Sequence, residues 1–581
     1  MSRNAEVAAL LDEFADHLDA RDVEFKPNSY RRAADSIRGH TVAVETLREM
    51  GGAEAIQEID DVGDAISSKV VEYLDTGRIE ELEALREELP VEMDALTAVE
   101  GVGPKTVGDL YEALEIRTLD DLEAAAEAGE IREVKGYGAK TEQNILDAIP
   151  FARESRARSL LGEARPVADE LVAFFDGLDV TERVETAGSI RRWRPTIGDI
   201  DVLVGSDDAE SVVEALVDWT GTDDVIEAGT SKASVRSEGM RVDLRVVVDS
   251  EFGAALQYFT GSKEHNVAVR SWAIDRGLKL NEYGLFDVTE VDDPDAGQRV
   301  GDLVASETEA AVYEALEMAW IPPEMRENRG EVEAAVADDL PELVTTDDVR
   351  GDLHLHTDWS DGANTIAEMV EAAEAFGHEY VAVTDHATGP GMVGGVGLSD
   401  DELLEQLDAV RAIDETTDID VFCGVEANIG ADGEISVDDD VLAELDCVVA
   451  SPHSGLDGDG TDRIVAAIEH PEVDIVGHPT GRLLNQRPGH DLDFGAVAEA
   501  AAEHGTALEI NADPRRLDLR GGAVKIAVEA GATVAVNTDA HRPEAYEYVR
   551  YGVHTARRGW TKADDVLNCR DADGVCAFLG I

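Results

Sequence analysis

The stretch Ala187–Val204, AGSIRRWRPTIGDIDVLV, decides the reading of this chain. Asp199 and Asp201 lie two residues apart in a β-rich run, so both carboxylates share one strand face while Ile200 points to the other. Two carboxylates on one face form a hard oxygen site suited to magnesium. Downstream, RVDLRVVV adds Asp243 on a second strand, with Arg241 and Arg245 on its face and Val242 and Leu244 opposite. Three convergent carboxylates hold two ions about 4 Å apart, which clamps the attacking and leaving oxygens of a phosphoryl transfer. Asp243 is expected nearest the attacking hydroxyl, placed to take its proton. Upstream, Gly188-Ser189 turns into a helix whose first N–H groups suit phosphate, and Arg192 adds charge-assisted bonds. A lone DxD is as readily a solvated acidic pair. The ordered set of GS turn, arginines, DxD and third strand aspartate outweighs that reading.

Working outward, 581 residues imply several domains. No apolar run is long enough to span a membrane, and the acidic, amphipathic start does not resemble a signal peptide, so a cytoplasmic protein is expected. Cys423, Cys447, Cys569 and Cys576 form no CxxC pair, which argues against a disulfide framework or a cysteine zinc site. The formal charge is −77, from 49 Lys+Arg and 126 Asp+Glu. Such a balance ordinarily argues against a nucleic-acid partner. The even spread of acidic residues and the excess of arginine over lysine instead resemble proteins of salt-loving microbes. In molar salt the Debye length is about 3 Å, so self-repulsion is screened and a local basic patch still meets DNA.

The first 150 or so residues read as helices, with helical spacing in Asn4–Ala20 and Ile79–Glu88. IDDVGDAISSKVVEYL, LTAVEGVGPKTVGDLYEAL and IREVKGYGAKTEQNILDAI form a weak repeat of helix, glycine turn, helix. In Gly101-Val102-Gly103 and Gly136-Tyr137-Gly138, glycine lets the backbone approach a ligand. The exposed N–H groups then suit a DNA phosphate, helped by Lys105 and Lys140. YRRAADSIR, with Arg31, Arg32 and Arg38, is a basic face in a basic-poor chain. From about Leu160 strands alternate with helices; DIDVLVG and RVDLRVVV read as strands and ALQYFTG as a weaker third. Residues 324–345 are acidic, lack a strand pattern and read as a linker.

From Val349 seven apolar strands follow: DLHLH, YVAVTD, VFCGVE, DCVVAS, DIVGH, ALEIN and TVAVNTD. Their alternation with helices predicts a parallel α/β barrel. His354, His356, Asp361, His386 (after Asp385), Glu426, His453, His478, Asp539 and His541 fall at or just after the C-terminal ends of these strands, where such barrels place active sites. This ligand set exceeds the need of one ion, so two or three are inferred, able to activate water against a phosphodiester. His378, His470, His490 and His504 read as solvated or structural.

The palm motifs resemble the nucleotidyltransferase fold and, with QYFTGSKEHNVAVR, the family X DNA polymerases over roughly residues 1–325. The resemblance implies that Tyr258 and Phe259 line the sugar pocket, that Gly261 belongs to the nucleotide site, that Asn266 contacts the base and that Arg270 contacts the template strand. The repeats resemble helix-hairpin-helix motifs. In the first, Asp60-Asp61 replaces the usual proline-glycine, leaving only Gly63 and setting aspartates, which repel phosphate, where the family binds a downstream 5′-phosphate. Lys69, six residues on, holds the place of a Schiff-base nucleophile in some members; a solvated helix lysine is the alternative. The order HxH, D, TDH, E, H, GHP, DxH resembles the polymerase and histidinol phosphatase (PHP) family.

The fold class implied is multidomain: an all-α helix-hairpin-helix region, an α+β nucleotidyltransferase palm and thumb, and a distorted (β/α)7 PHP barrel. The expected boundaries are 1–88, 89–151 (fingers-type), 152–249 (palm), 250–323 (thumb-type), a linker at 324–345, and 346–581 (PHP). The implied activity is DNA-directed synthesis filling short gaps in base excision repair, with a 3′–5′ exonuclease and an abasic-site endonuclease in the barrel. Mg2+ or Mn2+ would serve the palm, and a Zn2+ or Mn2+ cluster the barrel. Gapped or nicked DNA and dNTPs are the expected partners of a monomer. The alternatives are a small-molecule nucleotidyltransferase fused to a phosphatase, a polymerase with a purely structural barrel, and a non-catalytic end-binding scaffold.

Overall fold

A computed structural model describes residues 3–21, 23, 26–39, 44–57, 59, 61–99, 101–156, 158–389 and 396–581. Asp60 and the side chain of Arg38 lie outside the described residues. The chain packs as two units. One comprises Met1–Ser159, Arg236–Met240 and Asn485–Arg487; the other comprises Leu160–Val235, Arg241–Leu484 and Pro488–Ile581.

Between residues 3 and 156 the described part of the first unit is built of helices and turns. Its apolar stripes close on two cores, one around Phe14, Tyr30, Ile37 and Val70 and one around Leu96, Leu110, Leu122 and Ile145. Each repeat found in the sequence is a hairpin. Gly63 caps helix Asp64–Thr76, Gly103 caps helix Pro104–Leu114, and Gly138 directly precedes helix Ala139–Arg156.

A five-stranded sheet, in the second unit apart from Arg236, Ser237 and Met240, contains β1 (Arg183–Thr186), β2 (Ile200–Gly205), β3 (Asp224–Ala228), β4 (Lys232–Ser237) and β5 (Met240–Val247), in the order β1-β2-β5-β4-β3. β2 and β5 run parallel with Asp201 opposite Asp243. Ile200, Val202, Val242 and Leu244 point into the core, so period-2 patterning fixes which face carries the acids. ALQYFTG, expected as a strand, belongs to helix Phe252–Thr260. Phe252 through Gln257 are all buried, and a segment buried on every side shows no helical period to read. A small antiparallel sheet follows: β6 (Leu278–Asn281), β7 (Gly284–Asp287) and β8 (Asp302–Ala305).

Residues 324–345 are packed, contrary to the linker reading. They hold helix Glu331–Val336, and Glu324, Arg326, Glu331, Val332 and Val344 are buried. The acids are buried because each has a cation or hydrogen-bond donor: Glu331 meets His265 at 2.7 Å, and Glu324 meets His554 and Arg557 at 2.7 Å each.

The barrel strands are β9 (Gly351–Leu355), β10 (Tyr380–Val383), β11 (Asp420–Asn428), β12 (Cys447–Ser451), β13 (Ile475–Val476), β14 (Ala507–Asn511) and β15 (Val534–Asn537). They pair in sequence order, all parallel. A parallel bridge from Leu355 to Ala540, with His356 N–H donating to the Ala540 carbonyl at 2.8 Å, joins the first strand to the segment just after the last. Phe422, Cys447, Val449, Ile475, Ala507 and Ala535 pack together with Leu567 and Val575. Glu426, Glu509 and Asn537 stand further along those same strand faces, which aims them at the C-terminal mouth.

Candidate active sites

In the palm, Asp199 precedes β2, Asp201 lies on it and Asp243 sits opposite on β5. Each offers an oxygen, and the three oxygens lie within 4.8 Å of one another. Asp201 is held up at about 7 by burial and by repulsion from Asp199 and Asp243, against the pull of Arg192 and Arg245. Such a cluster is short of positive charge, and its hard oxygen donors fit magnesium or manganese. Gly188 makes the approach possible. Its φ is +57°, and a Cβ there would stand 1.9 Å from Asp201 Oδ2. Helix Gly188–Arg191 starts at this point. Asp243 Oδ1 accepts from Arg241 Nε at 2.8 Å and from the Ser234 hydroxyl. Ser234 was not singled out in the sequence; a lone serine on a strand carries no signal. Glu227, Lys232, Arg245 and Phe259 complete the cleft, with the Arg245 guanidinium 4.3 Å from the Phe259 ring centre.

The YFTGS segment borders this cleft. Tyr258 and Phe259 meet edge to face at 5.2 Å. Gly261 has φ +66°, and a Cβ there would lie 3.1 Å from Arg192 Nη1. Asn266, expected to reach a base, is engaged within the protein: it accepts from Gln257 at 3.1 Å and donates to the Tyr258 carbonyl at 2.7 Å. Arg270 Nε donates to the Asn266 carbonyl one turn back at 3.2 Å. Arg192 is held by Glu327 at 3.2 Å and by the Thr260 carbonyl.

The barrel brings together all nine residues proposed from its sequence. Glu426 lies at the centre, with His386 Nδ1 at 2.6 Å, His478 Nε2 at 3.0 Å, His453 Nε2 at 3.2 Å, His354 Nε2 at 3.5 Å and His356 Nε2 at 3.6 Å. Asp361 draws in His541 at 3.3 Å and His386 at 3.5 Å, and Asp539 lies 3.1 Å from His356. Among the described residues three ligand groups form: His356, Asp361, His386 and His541; His354, His356 and Glu426; and His386, Glu426 and His453. His354 Nε2, both nitrogens of His356, His386 Nδ1, Glu426 Oε1 and His453 Nε2 are buried without a hydrogen bond. Buried polar atoms that converge unpaired need a partner, and divalent cations supply it for imidazole and carboxylate together. Burial and the neighbouring His541 and His386 push His356 down to about 4, leaving it a neutral ligand. Burial also pushes on Glu426, yet the surrounding histidines hold its carboxyl well below the usual range.

Several supports escaped sequence reasoning. Glu509 accepts from His354 Nδ1 at 2.7 Å, from the His478 backbone at 2.6 Å and from Asn537 at 3.0 Å. Asn428 accepts from His453 Nδ1 at 2.8 Å. These bonds fix which imidazole nitrogen faces the centre. Glu509 sits in ALEIN, where an acid on an inward position of a buried strand was the available signal. Asp385 does not join the ligands; it holds Thr357 and Gln406 at 2.6 Å each. His378 and His490 are buried, as a structural role requires.

In the helical unit, a Cβ at Gly63, Gly101, Gly103, Gly136 or Gly138 would meet nothing within 4 Å. Gly101 and Gly136 have φ of +81° and +103°, which calls for glycine; packing does not call for it at Gly63, Gly103 or Gly138. Lys105 and Lys140 are exposed beside these turns. The basic face is partly neutralised. Arg31 lies 2.6 Å from both Asp16 and Asp19, and Arg32 lies 3.4 Å from Asp61. Lys69 Nζ lies 2.6 Å from Glu81; burial lowers its pKa, but Glu81 and Tyr30 hold it above the ordinary lysine value.

Four family models match: a helix-hairpin-helix domain over residues 2–79, a SAM-like helix-hairpin-helix tandem over 93–149, the DNA polymerase beta thumb over 255–327 and the PHP domain over 352–513. The chain is 34% identical to the DNA polymerase/3′-5′ exonuclease PolX of Bacillus subtilis (strain 168), over 99% of each chain. It is 25% identical to DNA polymerase lambda of Rattus norvegicus over 56% of each. It is 33% identical to a probable phosphatase of Shewanella sp. (strain MR-4), over 33% of this chain and 75% of that one. With hairpins, carboxylate sheet and histidine-lined barrel in that order along it, the chain belongs to the family X DNA polymerases that carry a C-terminal PHP domain.

Proposed function

We propose that the protein is a DNA-directed DNA polymerase that fills short gaps during base excision repair, and that its barrel is a metal-dependent 3′–5′ exonuclease that also opens abasic sites. The observation that carries this is the pairing of Asp201 with Asp243 across two parallel strands beside the Gly188 turn. When Mg2+ or Mn2+ is bound, it would lower the cost of the charge that develops during phosphoryl transfer and orient the primer hydroxyl. The protein's own groups do the rest. Asp243, oriented by Ser234 and Arg241, is placed to accept the hydroxyl proton. The first N–H groups after Gly188, with Ser189 and Arg192, face the triphosphate. Tyr258, Phe259 and Gly261 border the sugar. Asn266 and Arg270 would reach the base pair once Asn266 exchanges its internal partners.

In the barrel, the nine side chains would hold two or three Zn2+ or Mn2+ ions, with Glu509 and Asn428 fixing the imidazoles. The completeness of that set supports an active barrel over a purely structural one. The open glycine turns, with Lys105 and Lys140, support gapped DNA as the substrate; a small-molecule nucleotidyltransferase has no use for them. Arg31 and Arg32 would join the DNA contacts by exchanging their acidic partners for phosphates. No described helix is long and apolar enough to cross a membrane. We further infer a monomeric, cytoplasmic protein of a halophile.

The test is primer extension on gapped DNA in molar KCl, with the exonuclease followed on the same substrate. Asp201→Ala should cut extension at least about 100-fold and spare the exonuclease. The double variant His354→Ala/His356→Ala should do the reverse. Extension by Asp201→Ala at the wild-type rate would sink the palm assignment.

A further inference from the structure

Glu327 is the centre of a cluster that spans palm, thumb tail and barrel within the second unit. Its Oε1 lies 3.2 Å from Arg192 Nε and 3.2 Å from Arg558 Nη1, and its Oε2 lies 3.2 Å from Arg194 Nη1. Three guanidinium groups thus share one carboxylate. Arg558 comes from barrel helix Val549–Arg558 and is nearly buried, 6% exposed. It reaches past Glu327 to donate to the backbone carbonyl of Arg192 at 2.6 Å. The same helix supplies His554, whose ring stacks on Trp193 at 3.6 Å and 5°. Residues 192 and 193 continue directly from helix Gly188–Arg191, so the barrel grips the segment that leaves the phosphate turn.

We propose that Arg558, a residue of the hydrolytic domain, is a positioning residue of the nucleotide-adding site and sets its affinity for the incoming triphosphate through Arg192. Two effects act together. The bond to the Arg192 carbonyl fixes the backbone from which that guanidinium projects. Competition for Glu327 Oε1 keeps the carboxylate from neutralising Arg192, so the cluster retains surplus positive charge for an anionic ligand. A free Glu327 would pair fully with Arg192 and withdraw it, since a partly buried carboxylate binds the cation left to it more strongly. The inference rests on the polymerase reading of the palm.

Steady-state single-nucleotide gap filling on the full-length protein tests it, with KM for the dNTP read separately from kcat. Arg558→Met should raise KM about tenfold, the equivalent of one charge-assisted hydrogen bond, with kcat within about threefold of wild type. Arg558→Lys keeps the charge but donates from one point, so it should restore most of the affinity, leaving KM raised about threefold. Arg550→Ala is the control. Arg550 lies on the same helix and pairs with palm Asp169 at 3.0 Å, without touching Arg192, so KM should stay within about twofold of wild type. Exonuclease activity and the thermal transition of each variant report folding. If Arg558→Met does not fold, the KM rise in Arg558→Lys decides alone. An unchanged KM in the Arg558 variants, or an equal rise in Arg550→Ala, overturns the proposal and leaves the polymerase reading intact. Absence of extension by wild type overturns both.

Discussion

Gly188 and Asp201 constrain each other at the scale of single atoms. A methyl group at Gly188 would collide with Asp201 Oδ2, and the left-handed backbone there disfavours any side chain. Gly188→Ala should therefore displace the Asp201 carboxylate, lowering primer extension about 100-fold while the exonuclease stays unchanged. Both are read in one gapped-DNA assay, and wild-type extension would show that the turn moves freely. Lys69 invites a second test. A Schiff-base nucleophile must be a free amine, and the contact with Glu81 keeps this one protonated. Glu81→Gln should increase borohydride trapping on abasic gapped DNA several-fold, and Lys69→Ala should abolish it; trapping that ignores both variants would exclude Lys69. At this scale the sequence was informative wherever residues of one chemistry recur at strand period, as in Asp199/Asp201 and His354/His356. It was silent about Ser234 and Asn428, whose roles come from partners that only the fold brings near.

Among the elements, the segment after the thumb differs most from its sequence reading. Acidic residues in a run look solvated, and nothing local reveals that Glu324, Glu327 and Glu331 pair with His554, Arg558 and His265. Glu309 obeys the same logic, holding Arg326 at 2.6 Å and Arg191 at 2.8 Å in the interior. Glu309→Gln leaves Arg326, 0% exposed, with a buried charge short of its partner, and should cost roughly 3–5 kcal/mol in thermal or urea unfolding. Burial raises the pKa of Glu309, yet Arg326 and Arg191 bring it down to about 2, and His554 and Arg557 do the same for Glu324, also about 2. A depressed carboxyl stabilises the fold fully above its ordinary value of 4.5 and loses that contribution as pH falls towards 2. The stability gap between wild type and Glu309→Gln should therefore narrow below about pH 4. A gap independent of pH would show that the substitution acts through packing. The barrel was the most legible element, because seven strand signals in sequence order and ligands at their ends allow few arrangements. Helix Phe252–Thr260 was the least legible, because its stretch Phe252–Gln257 is buried on all sides.

For the molecule as a whole, a formal charge of −77 on 581 residues is a load that dilute buffer does not screen. Raising KCl from about 0.1 M to about 2 M shortens the Debye length from about 10 Å to below 3 Å and should raise the urea midpoint and the rate of gap filling together. A midpoint that stays flat across that range would break the link between composition and a salt-rich solvent. The barrel draws its ligands from β9 at its start and from the residues after β15 at its finish, and Arg558 follows later still. On a ribosome, which releases the chain from its N-terminus, the three palm aspartates emerge early but Arg558 emerges near the close of this sequence. A chain terminated before Asp539 would therefore carry the hairpins and the three palm aspartates but lack Arg558 and two of the barrel's ligands, Asp539 and His541.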